Sequence, residues 1–340
     1  MLVFPLPVPD PPTRTVASAP DSTDVRFGTP RVRALPVAAA LLLVLVATAC
    51  AGDSTEKASA DEGPAGNLAS ETPAATDGTA PKLSPKDFDP SLFEDSATVT
   101  NEWFPLEPGT RYIWRGRAFE DGGRVDRRVV FTVTDLTKVI GGVRAVVGWD
   151  RDFNDGKLGE SELIFFAQDR YGNVWHLGQY VELYNEEGEF EGGRVWVVGD
   201  PEGSLAGIAM KAEPELSTHS YSQGYAPPPW FWDDRSRVYK TGVRTCVPVG
   251  CFDNALVIEE FERPIPGAYQ LKYYAEGVGN VRVGWRGPNE EEQEVMVLQK
   301  RFHLSPEALD AARTEALALE HRAYAYARTP PAQQRTAESP

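Results

Sequence analysis

The chain has 340 residues and a formal net charge of −16, with 41% hydrophobic and 10% aromatic residues. A surface this negative repels phosphate backbones and anionic lipid headgroups. That excludes nucleic acid as a partner and surface charge as the means of holding a membrane.

Residues 1–49 are expected to be an N-terminal extension followed by a signal segment. Arg31 and Arg33 lead into the apolar run 35–46, and Ala47-Thr48-Ala49-Cys50-Ala51-Gly52 follows. A basic flank, a short apolar core, small residues and a cysteine resemble a bacterial lipoprotein signal. In such a signal the cysteine thiol takes a diacylglycerol and the preceding peptide is removed. The apolar stretch 34–49 contains Pro36 and falls short of the roughly 20 residues that a membrane-spanning helix needs. Two alternatives stand beside this reading: a retained membrane helix, and ordinary cleavage after Ala49 that leaves Cys50 unlipidated. Ala47 occupies the position where Leu, Val or Ile is usual. Residues 1–30 are proline-rich and carry Asp10, Asp21 and Asp24, so they fit no part of the signal; initiation at a later codon, for instance Val25, accounts for them. The expected location is the outer face of the bacterial cytoplasmic membrane, with the lipid on Cys50 as anchor.

After Cys50, residues 51–86 are Ala, Ser, Thr, Gly, Glu and Pro with almost nothing to bury. Such a segment cannot offset its own ordering entropy, so 50–86 reads as a lipidated cysteine and disordered linker. Its mean span is about 30–36 Å.

Between 87 and 303 turn signals punctuate strand-like runs, among them Gly141-Gly142, Asn154-Asp155-Gly156 and Glu186-Glu187-Gly188. Val129, Phe131 and Val133 alternate with Arg128, Thr132 and Thr134, the period-two pattern of a half-buried antiparallel strand. The predicted fold class is mainly β. A single antiparallel meander forms a curved sheet, sandwich or partial barrel, with one C-terminal helix over 304–328 and a disordered tail over 329–340. Ser305 is the expected N-cap and Pro306 suits the first turn. Leu309, Ala312, Ala316, Leu319 and Ala323 make one apolar stripe, which packs on the sheet or binds a partner.

Of three cysteines, Cys246 and Cys251 flank the turn-like Val247-Pro248-Val249-Gly250. A structural disulfide is expected there, in keeping with an oxidising envelope, with a redox or metal-binding pair as the alternative.

No pattern of catalytic or metal-binding residues emerges. Counted from Asp150, the segment Asp150-Arg151-Asp152-Phe153-Asn154-Asp155-Gly156 lacks the glycine and glutamate of an EF-hand loop; a surface calcium site there is the lesser reading beside a hairpin turn. Ser204 and Ser222 lack the flanking glycines of a nucleophile elbow. Four histidines, at 176, 219, 303 and 321, show no zinc spacing. Asp233-Asp234 and Glu259-Glu260 are neighbours whose side chains face opposite ways on a strand. The most unusual composition is 225–234, where three prolines precede Trp230, Phe231, Trp232, Asp233 and Asp234. It reads as a loop capping the core, or as an aromatic ligand contact with an acidic rim.

The segments Asn101–Gly109 (NEWFPLEPG), Phe165–Trp175 (FFAQDRYGNVW), Gly250–Ile258 (GCFDNALVI) and Tyr273–Gly279 (YYAEGVG) resemble a family of uncharacterised, mostly-β bacterial secreted proteins and lipoproteins. The resemblance spans roughly 95–300 and implies fold and location; it brings no activity, cofactor or catalytic residue with it. The expected function is a non-enzymatic envelope module binding a hydrophobic or glycan ligand. An envelope hydrolase acting on wall or lipid substrates, and an assembly factor docking another envelope protein, are the alternatives.

Overall fold

The computed structural model describes residues 87–120, 122–216, 219–228, 231–327 and 329–335. Cys50, the signal segment and the linker lie outside them, as does Trp230. In chain order the strands are β1 (Thr110–Glu120), β2 (Gly123–Ile140), β3 (Val143–Asn154), β4 (Lys157–Gln168), β5 (Val174–Tyr184), β6 (Phe190–Val197) and β7 (Leu205–Met210). There follow β8 (Tyr221–Ser222), β9 (Gly224–Tyr225), β10 (Asp234–Val247), β11 (Gly250–Glu262), β12 (Tyr269–Ala275), β13 (Gly279–Arg286) and β14 (Val295–His303). Helix α1 (Pro306–Ala323) and β15 (Gln333–Gln334) end the described chain. The fold is mainly β with one C-terminal helix. Among the described residues no helix is long and apolar enough to cross a membrane.

Every ladder is antiparallel, and the sheet order is β8-β10-β11-β12-β13-β14-β1-β2-β3-β4-β5-β7-β9, with β6 on β5 and β15 on β2. Long strands join through tight turns. Between β3 and β4, Asp155 (φ 49°) and Gly156 (φ 84°) form a two-residue turn with both φ positive, whose twist matches the flanking strands.

The two edges of this sheet, β8 and β9, are separated in sequence by Gln223 alone. Ser222 pairs with Arg235 of β10, while Gly224 pairs with Ala206 of β7. The chain thus steps from one edge to the other within three residues, and the sheet curls into a nearly closed barrel. Gly207 lies against this step: a Cβ there would sit 2.2 Å from Gln223 C and Gly224 N and 2.6 Å from Ser222 O. Backbone atoms cannot swing aside, so Gly207→Ala is expected to cost about 1–3 kcal/mol and to loosen the seam. The urea midpoint and amide exchange at 222–225 would register both effects. Gly192→Ala, whose Cβ would meet nothing within 4 Å, is the control; equal midpoints for the two variants would refute the seam argument.

Curling creates two cores. The inner one includes Tyr112, Trp114, Val129, Val133, Phe166, Leu256, Ile258, Val283 and Met296. The outer one joins Leu136, Ile140, Val147, Leu163, Phe165 and Leu177 to Ala312, Ala316, Leu319 and Ala323 of α1. Alternation along β4 serves both: Ile164 and Phe166 face inward, Leu163 and Phe165 face the helix. Helix α1 starts where Ser305 Oγ accepts a hydrogen bond from Ala308 N at 3.3 Å, with Pro306 in the first turn.

Candidate functional site

The barrel is not filled. A cavity of about 290 Å³ remains inside it, lined by apolar groups that include Phe104, Leu106, Trp114, Val129, Phe131, Ile164, Phe166 and Met296. Its polar lining consists of Arg127, Asp150, Asp152, Gln270, Lys272, Tyr274, Asn280 and Glu294.

The polar wall is built by the β3–β4 hairpin. At the turn Asn154 pairs with Lys157 and Phe153 with Leu158; beyond Gly159 the register shifts, so that Asp152 opposes Glu160 and Asp150 opposes Glu162. This bulge sets four carboxylates on the inward face as two directly opposed like-charged pairs, an arrangement that destabilises a sheet. Lys272 Nζ meets Glu260 Oε2 at 2.5 Å. Arg127 bridges Asp152 Oδ2 and Glu294 Oε1, both at 2.8 Å. Gln270 Nε2 donates to Glu294 Oε2 at 2.8 Å, and Gln223 of the seam donates to Glu260 Oε1 at 2.9 Å. Asp150, Glu160 and Glu162 form no ion pair among the described residues.

Burial without a counter-charge favours the neutral acid. Burial, then Asp152, pushes Asp150 well above the ordinary carboxylate range. Burial, then Glu160 and Asp150, does the same to Glu162. Glu160 rises to about 7 through burial and Asp152, and Glu294 to about 7 through burial, against the pull of Arg127. Burial works against the Lys272 ammonium, but Glu260 outweighs it and holds the lysine charged.

The apolar end is positioned by loop staples. Asn101 Oδ1 accepts from Trp103 N and Phe104 N, while its Nδ2 donates to the carbonyls of Gly172 and Lys211. Asp169 accepts from Tyr171 N, Asn173 N, Asn173 Nδ2 and Trp175 Nε1. These bonds seat Phe104 against Phe166 at 5.2 Å and Tyr274 at 6.1 Å. Phe104, Phe166, Tyr274 and Val278, from three of the segments singled out in the sequence, therefore converge on one cavity.

No known protein family matches the chain, and no curated protein is similar to it. Two solved structures are similar, each at 14% identity and a TM-score of 0.32, covering 59% of this chain and 99% of their own. One is a Bacteroides fragilis protein described as exported, with a YmcC-like fold; the other is a Parabacteroides distasonis protein described as a lipoprotein. Likeness of that degree transfers neither ligand nor activity.

The aromatic segment before β10 divides. Trp232 packs in a cluster of rings, 5.0 Å from Trp196 and 5.2 Å from His176. Phe231 points outward and is 49% exposed. Asp233 is half-buried. Asp234 faces Glu260 and Glu262, and burial together with those charges brings it to about 7. None of Phe231, Trp232, Asp233 and Asp234 lines the cavity. Cys246 and Cys251 are disulfide-bonded and directly opposed on β10 and β11. His176 is a packing residue among Phe166, Trp196 and Trp232, pulled down to about 4 by burial. The Glu259-Glu260 neighbours diverge as strand geometry demands: Glu260 reaches Lys272 inside, and Glu259 pairs with Arg237 and Arg286 outside. Lys272, Arg127, Glu160 and Glu162 are the site residues that sequence reasoning missed, while Asp150 and Asp152 entered only through the calcium reading. The repeated acid-x-acid spacing on both sides of Asn154-Asp155-Gly156 was the available signal.

Proposed function

We propose that the protein is a non-enzymatic binding module of the bacterial cell envelope, tethered through a lipid on Cys50, which carries one small ligand inside its barrel. The observation that supports this is the unfilled cavity, lined by a curled sheet and walled at one end by aromatic and aliphatic side chains. Pockets of this kind take ligands with an apolar body and a few polar attachment points, which favours a hydrophobic ligand over a glycan.

A hydrolase is the second reading, because carboxyls kept protonated at neutral pH are the groups that glycosidases use as general acids. Against it, the three carboxyls without ion pairs stand together on one wall rather than flanking a bond. Native mass spectrometry of the protein purified from its own membranes tests the carrier reading: a small molecule should travel with it and be lost from Ile164→Trp, which fills the cavity. An empty protein would count against it. Labelled palmitate should be incorporated, and should be absent from Cys50→Ala.

A further inference from the structure

We propose that the cavity's ligand is an organic cation: a protonated amine on an apolar body, its ammonium against Asp150 and its body against Phe104, Phe131 and Ile164. This deepens the carrier reading and rests on it.

Among the described residues, the two cations that line the cavity are already engaged, Lys272 by Glu260 and Arg127 by Asp152 and Glu294. An anionic ligand would have to displace those partners. A neutral ligand would leave Asp150, Glu160 and Glu162, half-buried and without an ion pair among the described residues, held in the neutral form by their surroundings. A ligand cation is the partner they lack.

Tyr274 offers a second polar contact in the cavity. It is 3% exposed, lines the cavity, and its hydroxyl has no hydrogen-bond partner among the described residues. A hydroxyl on an otherwise buried residue that opens into a cavity offers a contact point for a ligand's polar group. Its oxygen can accept from an ammonium, and neighbouring rings such as Trp114 favour a cation over their faces. A metal ion is a poorer fit: among the described residues no three His, Cys, Asp or Glu side chains are arranged to hold one.

The test is isothermal titration of the full chain at pH 8 with octylamine, 1-octanol and sodium octanoate, which share a tail and differ in head charge, and with calcium chloride alone. Octylamine should bind at least about tenfold more tightly than octanol, equivalent to about 1.4 kcal/mol, and octanoate should bind weakest. In Asp150→Asn/Glu162→Gln the amine-to-alcohol ratio should fall towards one, with the fold checked by circular dichroism. Equal affinities for amine and alcohol in the native protein would overturn the cation assignment while leaving the carrier reading intact. Tight calcium binding that excludes octylamine would overturn it in favour of a metal site. Failure of all three tailed probes would overturn both readings.

Discussion

Glu320→Ala should destabilise the protein by about 3–5 kcal/mol, the cost of stranding a buried charge. Lys138 on β2 is 1% exposed and Glu320 on α1 is 3% exposed. Their Nζ–Oε1 distance is 2.5 Å, and the same ammonium donates to the Pro330 carbonyl at 2.5 Å. The rings of Tyr180 and Tyr324 stand 5.4 Å and 5.5 Å from it. Glu320 Oε1 also accepts from Ala332 N at 2.8 Å, so one carboxylate fastens both the helix and the segment leading to β15. Burial already pulls the Lys138 pKa below that of an ordinary lysine, and only Glu320 opposes the shift. Two other ion pairs join the helix to the sheet, Arg313–Asp135 at 2.7 Å and Arg322–Glu182 at 2.6 Å. Each is partly exposed and worth about 0.2–1 kcal/mol. Urea unfolding should therefore rank Glu320→Ala far below Asp135→Ala. Lys138→Met/Glu320→Leu should recover most of the loss, because an apolar pair of similar size leaves no charge stranded. A Glu320→Ala loss under about 1 kcal/mol would show that the ammonium finds other partners or water.

Local chemistry made much of the fold legible in the sequence. Val129, Phe131 and Val133 do line the inner face of β2, Asp155-Gly156 turns the chain, and Ser305 caps the helix. Each depends on residues within a turn or two of one another. Closure of the sheet was not legible, because β8 and β9 are dipeptides too short to carry a period. The acidic wall was hidden for a different reason. Register counted outward from the Asp155-Gly156 turn would place Glu160 and Glu162 on the face opposite Asp150 and Asp152. The extra residue at Gly159 reverses that, since a one-residue slip moves every later side chain to the other face. Lys272 and Glu260 reach the same space from strands a hundred residues further along, which no local pattern encodes.

Glu160→Gln should stabilise the empty protein at pH 8 and leave it nearly unchanged at pH 5. Glu160 titrates at about 7 in the fold, against 4.5 as an ordinary glutamate. The folded protein therefore holds the proton more tightly, and that contribution is complete below about pH 4.5. It is lost as pH rises through about 7, where the native carboxyl must ionise beside Asp152. Each tenfold change in proton affinity is worth about 1.4 kcal/mol, so the wild type forfeits about 3 kcal/mol by pH 8 that the glutamine keeps. Glu294 and Asp234, also near 7, add to the decline in the wild type. His176, pulled down to about 4, acts in the opposite direction below its ordinary 6.5, but it is common to both proteins, so the difference between them reports Glu160. Arg194 and Arg127 temper the effect on Glu160 without reversing it. Melting temperatures of both proteins at pH 5, 6.5 and 8 check this, and parallel pH curves would mean that water already screens the wall. Sheets do not ordinarily keep opposed like charges, and a stability deficit relieved by glutamine is the cost expected of a wall shaped for a ligand's charge. On the same reasoning, a bound ammonium should raise the wild-type melting temperature at pH 8 more than that of Glu160→Gln, because only the wild type has that charge left to neutralise.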